Sequence, residues 1–541
     1  MAAPAVRTLR FQHWLERQAG YEALLLTDRK LLHGEVASAW ESGLFPEHSG
    51  PLSAAELTER FVQGIPGDPA LSSDSQTIAL HWLLAGNRQR SGIFLLATAG
   101  VMEERGDFRA ACMAAESALE RLPRPDADVA RAHSHVLQSR CLTWMGRHAE
   151  AEAALVDAEA AVLDATPAGR LVRARIATVR GVAALHTSDL DRAEAMLEEA
   201  ARLSKAGAFH QQTASVLNSL AHLRMIRGDP GASLALLEEA LGIYSLNRFL
   251  RSGALCVGNM GIVLDALGRS ADARERFEQA LAMQREAGDR NGEAVTLSNL
   301  GTSLTRLGML HAARTVLLDS AALAARTDDP GTEGAALATL TGVLVELGEA
   351  DEALQRARRS ESLLRGAHER RELSSALIAV STSLRALSRL DEAARVLDEG
   401  LRIADSSEAF EQLIGLRVDL AELRLEQGRP EDAAREAEQA LADAKSRSHA
   451  DLEICALECL ALARGDASLA DQGAALSRRI GYRLAEGHAL AAVAEILAGA
   501  GGGAASREAA AAAAKIATET GSLRLSRRLA RLPVIAKVQI A

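Results

Sequence analysis

Two asparagines, Asn259 and Asn299, stand 40 residues apart, and the same spacing carried on in both directions reaches Ser219 and Thr339. An amide both donates and accepts hydrogen bonds, so amides and hydroxyls in one register suit the backbone of a bound chain. Other reactive types are arranged less well for chemistry. His133 and His135 lie two positions apart, and on a helix they point to different faces, which suits a shared metal poorly. Cys455 and Cys459 are one helical turn apart without a histidine at ligand spacing. Gly501-Gly502-Gly503 runs into Ala504-Ala505-Ser506-Arg507 and lacks the lysine of a phosphate-binding loop. The chain contains no G-x-x-x-x-G-K-[ST], H-E-x-x-H, G-x-S-x-G or C-x-x-C. The expectation is a protein that binds rather than catalyses, with no catalytic residues, no cofactor and no metal.

The elements that position these residues follow from composition. Of 541 residues, 48% are hydrophobic and 25% charged, which gives a folded, well-solvated chain too long for one ordinary core. Aromatics make up only 3%, and twelve prolines leave room for long helices. Net charge is -11, with 72 acidic residues against 61 basic, which argues against a nucleic-acid partner. The basic runs at 356–359 and 524–531 sit in helical patterns and read as solvated faces. Five cysteines (Cys112, Cys141, Cys256, Cys455, Cys459) form a sparse, odd set that fits reduced thiols in the cytoplasm. No apolar run approaches the 18 residues of a membrane span, and the first ten residues have no signal-peptide core.

A repeat then organises the chain. Short turns recur at Gly106, Gly146, Ser188, Gly228, Gly268, Gly308, Gly348, Ser388 and Gly428, spaced by 40 except for one step of 42. Small residues fall into three columns about them: Ala111 to Ala433 five positions after each turn, Ala118 to Ala440 twelve after, and Ala99 to Ala421 seven before. Leucines such as Leu234, Leu237 and Leu241 lie between at helical spacing. The unit is therefore helix, tight turn, helix. Glycine ends the first helix in a left-handed conformation. Asp107, Asp191, Asp272, Glu352, Asp391 and Glu431 open the second, where negative charge suits the helix dipole. A single pair cannot bury its own apolar stripe, so neighbours must stack.

These columns resemble the tetratricopeptide repeat, in its long form of 40 residues, as in kinesin light chains and bacterial signal-transduction ATPases. The resemblance covers residues 90 to 445 and implies an all-α fold, a right-handed α-solenoid superhelix of antiparallel helix pairs. It also implies that the first helices of the repeats line a concave face and that asparagines there clamp the backbone of a bound peptide. On that face lie Asn218, His222, Asn259, Asp265, Ser298, Asn299, Thr302, Thr305, Arg306, Thr339, Thr382 and Arg385. They predict a polar groove centred on the repeats that turn at Gly228, Gly268 and Gly308, with another protein or a peptide segment as partner and neither nucleic acid nor membrane. An alternative role of Asn259 and Asn299 is to join neighbouring helices by hydrogen bonds.

The first ninety residues read differently. Phe11, His13, Tyr21, Glu22, Leu24, Leu25, Arg29, Leu32, His33, Val36 and Ala37 resemble the end of the winged-helix region that follows the ATPase module in bacterial STAND regulators. The stretch 77–86 resembles the first repeat helix of that family. The expected organisation is a winged-helix-like remnant at 1–41, a loop at 42–76, the repeat array at 77–445, worn or capping repeats at 446–531 with turns at Gly465-Asp466 and 499–503, and a tail at 532–541. The resemblance implies a scaffold or sensor arm in signal transduction or transcriptional regulation, a fragment or a stand-alone form. The alternative is the ligand-sensing part of a STAND ATPase, adenylate cyclase or protein kinase whose catalytic domains lie elsewhere.

Overall fold

A computed structural model describes residues 21, 24–45, 52–63, 71–104, 107–124, 128–145, 147–162, 166–186, 189–247, 249–366, 370–406, 410–447 and 449–532. Phe11, His13, Glu22, Gly106, Gly146, Ser188 and the tail beyond Leu532 lie outside them. Among the described residues every regular element is a helix, and no helix is long and apolar enough to cross a membrane. The chain divides into two compact units, Met1–Ser219 and Leu220–Ala541, with the division inside the His210–Ile226 helix.

From Leu190 to Ser446 each helix is 17 residues long and is followed by a three-residue connection. The 40-residue period therefore consists of two equal halves. A 17-residue helix spans about 25 Å, so every helix presents the same length to its neighbours. Both kinds of connection use a left-handed residue. Gly228, Gly268, Gly308, Gly348 and Gly428 turn from first to second helix with φ between 70° and 78°, and Ser388 fills its place in that series at φ 59°. Ala208, Gly288 and Asp328 make the returns between repeats with φ of 53°, 67° and 56°. Side-chain caps come from Asp107, Asp189, Asp229, Asp289 and Asp329, each accepting from a backbone N–H in the first turn. Of the acids expected at helix starts, Asp107 is a cap, whereas Asp191 and Asp272 lie one position or more inside the helix, where their charge suits the dipole and Asp272 also pairs with Arg269 at 2.7 Å.

The small columns are where helices touch. Ala273, Ala313, Ala353 and Ala393 are fully buried, as are Ala240, Ala280, Ser320 and Ser360. Ser320 and Ser360 donate to the carbonyls of Ala294 and Gly334 at 2.7 Å, so a hydroxyl in the column is satisfied across the contact. A Cβ on Gly301 would stand 2.5 Å from Leu317, and one on Gly261 2.6 Å from Phe277. Leucine or phenylalanine from the second helix fills the space the glycine leaves.

In the first unit, Leu26–Leu44 packs on Leu71–Leu84. Tyr21 Oη, His33 and His81 form a chain of 2.9 and 2.7 Å hydrogen bonds, and Glu41 takes Trp82 and Arg90. The expected loop at 42–76 is corrected here. It contains the Ala54–Gln63 helix and the start of Leu71–Leu84. Ser53 and Glu56 exchange backbone and side-chain hydrogen bonds as a capping box, and Leu57, Phe61 and Val62 form its buried stripe. That stripe packs against repeat helices: Phe61 meets Phe94 edge-on, and Val62 joins Val136, Ile176 and Val179.

In the second unit, helix pairing continues past Ser446 with Ala450–Arg464, Ala467–Arg479, Arg483–Gly499, Gly503–Thr520 and Leu523–Ala530. Gly465 and Gly501 supply left-handed turns among them. These last helices also meet earlier repeats. Gly268 lies against Ile480, and one repeat further along both partners Gly308 lies against Thr520. Gly348 faces Arg527, and Leu484 joins the core of Leu264, Leu304 and Leu344.

Candidate functional site

The first helices of successive repeats place residues at i, i+4 and i+7 on one face, because those positions stack along a helix. On Leu250–Ala266 this face is Leu255, Asn259 and Ile262; on Arg290–Arg306 it is Val295, Asn299 and Thr302. Leu255, Ile262 and Val295 are 54%, 42% and 41% exposed although apolar. Asn259, Ser298, Asn299 and Thr302 are half-buried. Asn299 makes no hydrogen bond with the described residues. The hydroxyls of Thr302, Thr305 and Thr339 donate to carbonyls of their own helices at 2.8–3.2 Å, which leaves their oxygens able to accept. His222 is exposed in the second unit, and Asn218, half-buried, belongs to the first.

The charged members of the expected groove are placed differently. Asp265 is buried and accepts from Ser270, Ser303 and Arg306. Arg306 also reaches Asp451 at 3.0 Å and lies over the Tyr482 ring at 5.0 Å. Arg385 is buried and pairs with Asp419, Glu422 and Glu426. Thr382 donates to Asp419 at 3.3 Å. These residues tie the unit together rather than line an open surface.

The same ties continue through residues that periodicity did not single out. Glu346 accepts from His488 at 3.1 Å, from Arg524 at 3.2 Å and from Ser522 at 2.6 Å. Burial alone would raise its carboxyl, but the cations and the hydroxyl outweigh burial and hold it well below the usual carboxylate range. Glu422 is half-buried; burial raises its carboxyl, but Arg385 with Arg524 outweighs that and brings it down to about 2. Arg528 pairs with Glu458 and Glu495. Three-way pairing of this kind offsets the cost of taking a guanidinium out of water. The signal that could have found these groups was charge recurring in two inner columns, Arg306 and Glu346 in one and Asp265 and Arg385 in the other.

Other candidates carry less. The five cysteines are free, and burial pushes Cys141 and Cys256 up to about 12, away from reactive thiolate. Among the described residues no group of three metal-ligating side chains converges. A shallow depression of about 170 Å³, lined by Leu234, Glu238, Leu264, Arg269 and Asp272, is smaller than ordinary ligand pockets.

Comparison with known proteins agrees with this architecture. No curated protein matches the sequence. A Rap protein complexed with Competence and Sporulation Factor has 16% identity and a TM-score of 0.51, over 66% of this chain and 98% of that one. The apo quorum sensor NprR from B. thuringiensis has 15% identity and a TM-score of 0.45, over 64% and 97%. A STAND protein with a tetratricopeptide repeat sensor from Pyrococcus horikoshii has 13% identity and a TM-score of 0.40, over 80% of this chain and 65% of that one. At such identities the likeness concerns fold alone. Residues 250–326, which contain both asparagine faces, match the tetratricopeptide repeat, and the described residues on either side continue the same all-α array of helix pairs.

Proposed function

We propose that the chain is a non-catalytic interaction module of cytoplasmic signalling or regulation. In this reading a peptide or protein segment binds to the face made by Leu250–Ala266 and Arg290–Arg306. The observation that carries it is Asn299, a half-buried amide without a hydrogen bond among the described residues, set between exposed Val295 and half-buried Thr302. Beside it Leu255, Asn259 and Ile262 repeat the arrangement, apolar groups flanking an amide. An extended backbone offers a donor and an acceptor to each amide, and its side chains offer apolar area to Leu255, Ile262 and Val295. His222, Ser298, Thr302, Thr305 and Thr339 extend the polar lining, while Asp265, Arg306 and Arg385 shape it by holding the unit closed. Asn218, in the first unit, is not needed. The solved Rap chain of similar fold is complexed with a factor, which supports binding as the use of such a solenoid.

The test is capture of partners from the host by the full chain. Asn299→Ala combined with Asn259→Ala should lower retention of the captured protein by about tenfold, as two lost amide contacts imply. Undiminished capture by the folded double variant rejects this face.

The reading as the sensing arm of a larger ATPase switch has one observation in its favour. Tyr21, Arg29 and His33, which carry the resemblance to STAND regulators, come together: Arg29 lies 4.9 Å over the Tyr21 ring, whose hydroxyl meets His33. Co-purification of a protein with a phosphate-binding loop would support this reading, and a partner without one would count against it.

A further inference from the structure

The first unit contains a half-buried arginine whose surroundings differ from those of the arginines paired with carboxylates. In the second unit Arg385 has three carboxylates, Arg306 two and Arg528 two. In the first unit Arg90 has Glu41, and Arg180 has Glu152 and Glu159. Arg175, on the Pro167–His186 helix, has none among the described residues. Its Nη1 lies 3.3 Å from Nε2 and 3.4 Å from Nδ1 of His133. An atom equidistant from both ring nitrogens stands over the ring face, because an in-plane approach would collide with Cε1. The guanidinium therefore stacks on the imidazole and finds no acceptor there.

Its charged neighbours are Arg140 and Glu103. Glu103 is buried, and Arg140 Nε occupies it at 2.8 Å. Among the described residues two guanidiniums thus share one carboxylate, a surplus of one positive charge. Burial and then Arg140 pull Arg175 down to about 10. The residues in the register of Arg140 on the neighbouring first helices are Gly100 and Val182, so neither brings a further carboxylate. A Cβ built on Gly100 would meet nothing within 4 Å. The Arg140 side chain is 43% exposed, which leaves an approach from solvent on that side.

We propose that Arg175, Arg140 and His133 form a binding site for a carboxylate, with Arg175 donating to its oxygens, Arg140 guarding the approach and His133 supporting the guanidinium from below. One surplus charge matches a monoanionic carboxylate better than a dianionic phosphate. The carboxylate has two sources, a small organic acid or an acidic residue of a peptide, and the experiment separates them. This site lies in the first unit and stands independently of the asparagine face.

The full chain is titrated calorimetrically at low salt with butyrate, with a short end-capped peptide bearing a single glutamate, and with inorganic phosphate. Butyrate or the peptide should bind, and Arg175→Met should weaken that binding by about tenfold or more. Heat from butyrate alone identifies a free acid as the source; heat from the peptide alone identifies an acidic side chain. In the absence of ligand, Arg175→Met should raise the melting temperature, because it removes a desolvated charge that lacks a counterion. A lowered melting temperature, or a variant that does not fold, means that Arg175 is a structural cation and overturns the proposal. Binding of phosphate but neither carboxylate, unchanged binding by the variant, or no heat from any of the three also overturns it.

Discussion

Within the second unit, the first helices of the repeats carry two stretches of different chemistry on the same register. On Leu250–Ala266 and Arg290–Arg306 the i, i+4, i+7 face is Leu255, Asn259, Ile262 and Val295, Asn299, Thr302, uncharged and partly exposed. On Phe410–Glu426 the matching positions are Gly415, Asp419 and Glu422, and the two acids are engaged by Arg385. The backbone is the same in both, 17-residue helices with three-residue connections. What differs is the partner. The acids of the charged stretch are paired by the chain's own Arg385, and Thr382 donates to Asp419 as well, whereas Asn299 has no hydrogen bond among the described residues. A repeat scaffold fixes where side chains stand; the side chains decide whether a place serves stability or is kept for a ligand.

The largest way to break this comparison is Arg385→Met. It leaves Asp419 and Glu426 without their cation and Glu422 with Arg524 alone, and a buried pair broken on one side costs about 3–5 kcal/mol. Urea unfolding of the full chain should show this loss in the transition of the second unit. A change under about 1 kcal/mol would mean that the charged stretch is not what holds that unit together.

A smaller effect is expected for Glu346→Gln, which keeps the shape and removes the charge shared by His488 and Arg524. Loss of charge-assisted hydrogen bonds of this kind costs about 1.5–3 kcal/mol. The sign of its pH dependence is fixed. The folded carboxyl lies well below the unfolded value of about 4.3, so its contribution is full above that value and fades as pH falls through the folded one. Glu422, at about 2, acts in the same direction. Melting temperature should fall as pH drops below about 4.3, and the variant should show a shallower slope. An unchanged slope would assign the acid sensitivity elsewhere.

The smallest effect sharpens the other side. Leu255→Ser changes a leucine that is 54% exposed, and stability should move by no more than about 0.5 kcal/mol. Partner capture should nevertheless weaken. A large loss of stability, read by thermal melting, would show that this face packs against the protein itself.

Much of the architecture was readable from local pattern. The three small columns are buried where periodicity puts them, and Ser388 takes the left-handed conformation that its place among turn glycines demands. The half-period of 20 was present too, in Ala208, Gly288 and Asp328, but only two of these three are common turn formers and the repeat search followed the other turn. The Ala54–Gln63 helix was hidden by Gly, Pro and Ser on both sides, although Ser53 and Glu56 already spelled its start. Within the candidate site, the column of Asn259 and Asn299 was visible, and so was its polar lining. That Asp265, Arg306 and Arg385 would be engaged inside the protein was not, since their spacing resembles that of the asparagines.

The sequence by itself determined the helix pair, its length, its turns and its packing columns, because each depends on residues within one repeat or its neighbour. Tertiary structure decided which inner positions the chain's own charges occupy. Arg306 meets Asp451 across 145 residues, Glu346 meets Ser522 across 176 and Arg524 across 178. Such contacts arise from the small rotation between repeats summed over several of them. No single repeat encodes that sum, so only the folded unit shows that the charged stretch has found its counter-ions while Asn299 has no hydrogen bond among the described residues.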